Sequence, residues 1–320
     1  MFNFLIKLIP VSIRRALSRM LKYGWFSKLF YFLNDLDDAV TKLALGNKEF
    51  YSFKFEGHSL VGNIRFVKGT KDEGIYRLIR TLLGQSPLEK GAVLLDVGAN
   101  IGLTAIVMAE FAKPAHARVF AFEPGDQIKY LRENLKKTGN DNCVFPQELA
   151  MADRKGEMTL FTYHESIVDS RLYLDEEWQD RNPEKIHKKV VGTDTLDGFL
   201  QAQGIESGDI RLLKMDCQGA EPFILRGMFE KTSLPENMSV IMEFWPYSIV
   251  QQGEDPDKFL ERVYEKFEGK QFYFFKDEGE LQSLSTREEF FNLSNRVGLG
   301  QNNYCDIVIA PQPVLAQQPA

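Results

Sequence analysis

Residues 92–105 read AVLLDVGANIGLTA. An apolar run, Ala92-Val93-Leu94-Leu95, stops at Asp96, and Gly98 and Gly102 bracket a turn before apolar residues resume. A short buried strand, a glycine turn and a helix start make the βα unit of an open α/β sheet. In such sheets ligands bind beyond the carboxyl ends of the strands, where strand order reverses. Small residues at Gly98, Ala99 and Gly102 let a ligand approach the backbone closely, and Gly98 accepts a positive φ cheaply. The N–H groups at the helix start can receive a carboxylate. Asp96 itself reads either as ligand-facing or as a cap of the turn that follows it.

Phosphate ligands fit this turn poorly. The sequence has no G-x-x-x-x-G-K-[ST], and its glycines are spaced G-x-x-x-G rather than G-x-G-x-x-G. Asp96 would also repel a pyrophosphate. The next predicted strand ends in VFAFEP, one strand-helix-strand unit later, and an acid at Glu123 can take both hydroxyls of a ribose. Its plainer reading is a surface acid ahead of Pro124. Two acids, a glycine turn and no phosphate-directed lysine suit S-adenosylmethionine, which presents a ribose, an ammonium, a carboxylate and a sulfonium.

A second constellation is IRLLKMDCQGAEPFIL, residues 210–225. Pro222 opens a helix after a Gly-Ala turn, a favoured place for proline. Lys214, Asp216 and Gln218 alternate, so in an extended chain they face one way. Asp216 is expected at the carboxyl edge, one strand from Asp96, although it could simply cap its turn, and Glu221 could merely complement the helix N-terminus. SVIMEFW (239–245) ends likewise near an acid, Glu243. Asp96, Asp216 and Glu243 would then form an acidic pocket mouth suited to a sulfonium, a divalent ion or both. Phe244, Trp245 and Tyr247 either stack on a sugar ring or belong to the core.

In this order LLDVGANIG, FAFEP, TDTLDGFL and LLKMDCQGAE resemble the FkbM-type family of S-adenosylmethionine-dependent methyltransferases, from about Val93 to Glu243, with a fainter echo in YCDIVIA. The resemblance implies a Rossmann-like, seven-stranded class I methyltransferase sheet and O-methylation of a hydroxyl on a sugar, glycan or secondary metabolite. It also implies roles. Asp96, Gly98, Asn100 and Gly102 would line the methionine end of the cofactor, and Glu123 would hold the ribose. Gln218 and Glu221 would sit with Asp216 beside the transfer site. The expected general base is Asp216, with Lys214 lowering its pKa or steadying an alkoxide. Alternatively Asp216 and Glu243 bind Mg²⁺, which would acidify the hydroxyl, or His164 serves as base. The rival functions are a non-catalytic accessory protein on the same scaffold and an NAD-dependent dehydrogenase.

Organisation and composition fit this reading. Strands and helices alternate from Val93, with a third strand over 142–150, preceded by a β pair at 50–67 and a helix at 75–83. Residues 1–90 are expected as an N-terminal helical extension, 91–312 as the α/β methyltransferase domain and 313–320 as a disordered tail. The charged stretch 164–190 reads as an irregular, substrate-side insert. With 44% hydrophobic and 26% charged residues in 320, the chain is an ordinary folded protein. Its three cysteines and four histidines form neither a disulfide framework nor a zinc site. Residues 1–34 carry six basic residues and no acid, which leaves 33 basic against 45 acidic residues in the remainder. An acidic body argues against a nucleic-acid partner. The N-terminus lacks a run long enough to span a bilayer or a secretory signal, so a cytoplasmic location is expected. A helix from Ser12 would align Ile13, Leu17, Leu21 and Trp25 on one face beside basic residues. That face suits the inner surface of a membrane and a lipid-linked glycan acceptor, or else the protein's own core.

Overall fold

In the computed structural model the described residues are 71–163, 166–172, 186–276 and 281–314. The expected N-terminal helix, the 50–67 pair, His164 and the tail from 315 lie outside them. The element order is α1 (Lys71–Gly84), β1 (Val93–Val97), α2 (Leu103–Ala115), β2 (Arg118–Phe122), α3 (Ile128–Thr138), β3 (Val144–Gln147), β4 (Ala150–Met151), β5 (Gly156–Tyr163), β6 (Ser166–Arg171) and β7 (Ile186–Asp194). Then follow α4 (Leu196–Gln203), β8 (Ile210–Met215), α5 (Glu221–Arg226), β9 (Ser239–Phe244), α6 (Pro246–Gln251), α7 (Pro256–Lys266), β10 (Gln271–Phe275), β11 (Gln282–Ser283), α8 (Arg287–Phe291), α9 (Leu293–Val297) and β12 (Cys305–Ala310).

The main sheet has the order β11-β10-β12-β9-β8-β1-β2-β3. Strands β3, β2, β1, β8 and β9 run parallel, and β12 and β10 add antiparallel pairs. From β1 the chain moves outward to β2 and β3, then returns to lay β8 and β9 on the other side. The strand order therefore reverses between β1 and β8. This is the α/β, Rossmann-like seven-stranded sheet that the resemblance implies, with one addition: the two-residue β11 makes an eighth strand at the edge.

Alternation along each strand feeds two cores. Val93, Leu95, Val97, Leu213, Met215, Met242 and Phe244 meet α4 to α9 on one face. Leu94, Val119, Ala121, Leu212 and Ile241 meet α1, α2 and α3 on the other. α1 contributes Leu78, Ile79, Leu82 and Leu83, a stripe at helical spacing.

Two expectations need correcting. The single strand foreseen over 142–150 divides, because only Val144–Gln147 pairs with β2 while Ala150–Met151 pairs with β7. Pro146, which has no N–H to donate, is tolerated in β3 because that strand is the sheet edge. The described residues of 164–190 are also more regular than their charge suggested. Strands β6 and β7 join β5 and β4 in a second sheet, β4-β7-β5-β6. His187, Lys188 and Val190 of β7 are all exposed, so the alternation is masked by charge.

The TDTLDGFL motif is a joint between the two sheets. Asp194 accepts from the N–H of Thr195 at 2.9 Å, and the Thr195 hydroxyl caps α4 through the N–H of Gly198. Asp197 accepts from the N–H groups of Phe229, Glu230 and Lys231 at 3.0, 2.7 and 2.8 Å, and from the Thr232 hydroxyl at 3.1 Å. Asp197→Ala removes four bonds to one buried carboxylate at once. The expected outcome is a loss of about 2 kcal/mol or more, measured as a lower urea midpoint with unchanged far-ultraviolet circular dichroism.

Candidate active site

On the α2 side of the sheet, the apolar rows change character at the carboxyl end. Two residues beyond Leu94, Leu212, Ala121 and Ile241 stand Asp96, Lys214, Glu123 and Glu243, all of them buried. Asp96 lies opposite Lys214 in the β1–β8 register, at the reversal point. The Lys214 ammonium stands 3.5 Å from Asp96 Oδ1 and 3.5 Å from Asp216 Oδ2, and donates to the Gly98 carbonyl at 3.3 Å. Burial would lower its pKa, but Asp216 and Asp96 outweigh that and hold it well above the usual lysine value. The other Asp96 oxygen accepts from the Thr104 hydroxyl in the first turn of α2.

These positions revise one assignment. Asp96 has no exposed surface, so it forms the floor of the site and not its mouth. Lys214 is a buried counter-ion joining two loops, with its ammonium beside the Asp216 carboxylate. Only Asp216 opens outward, with 41% of its side chain exposed. Thr104 was missed by sequence reasoning, since a threonine inside an apolar helix start carries no distinguishing signal.

The glycines of the first turn serve the protein before any ligand. A Cβ on Gly98, at φ +75°, would fall 2.0 Å from the Asp216 carbonyl oxygen, and one on Gly102 would meet Leu131 at 3.2 Å. Gly98 lets the two loops touch, and Gly102 lets α3 approach α2. Gly102 also leaves the N-terminus of α2 without a side-chain cap. Asn100 adopts φ 49° and its side-chain oxygen is buried with no hydrogen-bond partner.

Glu123 ends β2 on the same side. Its carboxylate accepts from the N–H of Asn100 at 3.0 Å and of Gly125 at 2.7 Å. Burial raises its pKa to about 7, against those two bonds and the more distant Lys214 and Lys189. Lys189 of β7 ties this loop down, donating to the Pro124 carbonyl at 3.3 Å and Asp126 at 3.1 Å.

The 216–221 turn is not extended: Gln218 and Gly219 have φ of 57° and 94°. Gln218 nevertheless folds back, and its amide donates to Asp216 Oδ1 at 3.1 Å. Its carbonyl accepts from the Ser248 hydroxyl at 2.5 Å and the Gln252 amide at 2.7 Å. Ser248 within α6 and Gln252 just beyond it, four residues apart, thus grip the turn. Glu221 has no exposed surface, and its carboxylate accepts from the Cys217 N–H at 2.6 Å. It is a clamp beneath the turn and does not face an acceptor. Burial raises its pKa to about 7.

Glu243 is buried and lies opposite Asp306 of β12. Among the described residues no group of three His, Cys, Asp or Glu side chains is arranged to hold a metal ion. Phe244 is wholly buried, whereas Trp245 and Tyr247 are partly exposed. Among the described residues no helix is long and apolar enough to cross a membrane.

The sequence matches the family described as the methyltransferase FkbM domain over residues 96–308, two thirds of the chain. The chain belongs to the FkbM methyltransferase family. No curated protein matches it. Among solved structures it is similar to methyltransferase FkbM from Methylobacillus flagellatus KT, with a TM-score of 0.42, 11% identity, and coverage of 79% of this chain and 54% of that one. The match thus spans about half the length of that relative. An O-methyltransferase from Bacillus cereus in complex with SAH gives a TM-score of 0.37 and 11% identity over 74% and 80% of the two chains. A SAM-dependent O-methyltransferase from Thermotoga maritima gives 0.36 and 13% over 77% and 66%. The family assignment rests on the sequence match.

Two outcomes follow for this FkbM domain. A buried carboxylate that titrates at about 7 when folded and at 4.5 when unfolded makes the folded state bind more protons in between. Its contribution to stability is therefore present below pH 4.5 and lost as pH rises through 7. Glu221→Gln keeps the acceptor for the Cys217 N–H without the charge. At pH 8 it should be more stable than wild type by more than about 1 kcal/mol in chemical unfolding, with the gain gone at pH 5. Lys214→Met leaves Asp96 as an unpaired buried charge and should cost about 3 kcal/mol or more. Adding Asp96→Asn should restore part of that loss in chemical unfolding.

Proposed function

We propose that this domain is an S-adenosylmethionine-dependent methyltransferase acting on a hydroxyl of a sugar, glycan or secondary metabolite. The observation that carries the reading is one arrangement at the strand-reversal point. It comprises Glu123 beyond β2, a helix N-terminus without a side-chain cap, and an outward Asp216 on the neighbouring loop. These residues fit the cofactor. Glu123 retains lone pairs for ribose hydroxyls, since a carboxylate can accept about four bonds and two are used. The α2 N–H groups suit its carboxylate, and the partnerless Asn100 oxygen suits its ammonium.

When bound, S-adenosylmethionine supplies an electrophilic methyl group on a sulfonium. Asp216 would take the proton of the acceptor hydroxyl as its oxygen accepts that methyl group, and would release it to solvent. Asp216 is held for this task on one oxygen by Lys214 and on the other by Gln218. Positioning of this kind can lower a barrier by several kcal/mol.

Calorimetry with S-adenosylhomocysteine and a turnover assay test the reading. Wild type should bind, Glu123→Ala should weaken binding by about tenfold or more, and binding should weaken as pH falls through 7, where Glu123 protonates. Asp216→Asn should keep that affinity and lose about a hundredfold in turnover. EDTA should leave turnover unchanged. Failure to bind S-adenosylhomocysteine would overturn the proposal, and binding without turnover on any hydroxyl acceptor would favour an accessory protein.

A further inference from the structure

One indole near the carboxyl end of the sheet is held from several directions and is still partly exposed. Trp245 follows β9 directly and precedes α6. The guanidinium carbon of Arg171, the last residue of β6, lies 5.0 Å from the centre of its ring. The Trp245 Nε1–H donates to the Gln301 carbonyl at 3.1 Å. Tyr304 approaches at 6.5 Å and 69°, and Tyr247 lies 6.1 Å away at 32°. Three segments distant in sequence, β6, the β9–α6 junction and the loop entering β12, therefore converge on this ring.

Its location gives the convergence a use. Ser248 and Gln252, which hold the Asp216–Gln218 turn, stand in the same short segment as Trp245 and Tyr247. Phe244, one residue earlier, has no exposed surface and packs in the core. The chain thus turns one aromatic inward and keeps the next two partly exposed beside the transfer loop. A locked, amphipathic ring is a low-entropy surface for stacking, because little freedom remains to be lost on binding.

We infer that Trp245 is the stacking platform for the ring of a neutral sugar acceptor, and that Arg171 is the residue that positions it. This rests on the methyl-transfer reading above and gives it an acceptor site. A sugar ring offers C–H groups to the indole and hydroxyls to nearby carboxylates, Asp216 first among them. A cationic acceptor would meet the Arg171 guanidinium, and a wholly apolar one would make no use of the exposed Asp216 carboxylate. The second sheet gains a role as well: β6 carries Arg171 to the acceptor side, while β7 carries Lys189 to the ribose loop.

The test uses the full chain, a labelled methyl donor, and a panel of neutral methyl hexosides and 6-deoxyhexosides, with catechol as a phenolic control. At least one glycoside should be methylated. With it, Trp245→Leu should raise KM by about tenfold or more, while affinity for S-adenosylhomocysteine stays within about twofold. Trp245→Tyr should keep most of the wild-type KM, and Arg171→Leu should raise KM more than it lowers kcat. The second measurement needs no disruptive change at the site. Trp25→Phe with Trp178→Phe leaves Trp245 as the sole tryptophan, and the methylated glycoside should then change its fluorescence saturably. Transfer with an unchanged KM in Trp245→Leu, transfer to catechol alone, or an unresponsive Trp245 would overturn this inference and leave methyl transfer standing. Loss of S-adenosylhomocysteine binding in wild type would bring down both.

Discussion

A single buried ammonium organises this site. Lys214 reaches Asp96 on the neighbouring strand, Asp216 at the end of its own, and the backbone carbonyl of Gly98 between them. Two carboxylates without that cation would face a large desolvation cost, which is why breaking such a group is far more harmful than never having built it. The same cation sets the distance between the glycine turn and the Asp216 turn. Gly98 completes the contact by having no Cβ where the Asp216 carbonyl lies. The glycine turn and the Asp216 turn are thus one mechanical unit, joined by charge above the sheet and by close backbone contact at the turn.

Around that unit the second sheet acts as a brace. Lys189 on β7 fastens the loop that follows Glu123, and Arg171 on β6 lies over Trp245 beyond β9. The Asp197 cluster anchors α4 to the 229–232 segment, next to where β7 ends. Rigidity of this kind matters for transfer between two bound groups, because small displacements of either one are costly.

Two carboxylates at the site, Glu123 and Glu221, titrate at about 7, both because burial disfavours their charge. Their environments differ in use. Glu123 meets the N–H groups of Asn100 and Gly125 beyond β2, whereas Glu221 is sealed beneath the 216–221 turn. Perturbed acids concentrate at functional sites, yet the perturbation alone does not tell a ligand-facing carboxylate from a structural clamp. Burial and partners do.

The local pattern of this chain carries a great deal. A strand that runs from Val93 to an acid, a glycine turn, and a second strand ending at Met215 were legible because strand burial and turn chemistry are written in contiguous residues. So was the parallel order that sets Asp96 beside β8. Direction and depth were not legible. Asp96, Glu221 and Asp216 look alike as acids near turns, but one is floor, one is clamp and one is open, according to what other segments lay over them. Lys214 looked catalytic because its sequence neighbours are Asp216 and Gln218, although Asp96, 118 positions upstream, shares its charge. The strands of the second sheet were hidden by charges on their solvent side. Thr104, Ser248, Gln252 and Arg171 gave no signal, since each acts through a partner far away in the chain. Contiguous pattern determined which strands and turns exist; long-range packing decided which side chains became ligand-facing, because burial belongs to the fold and not to the segment.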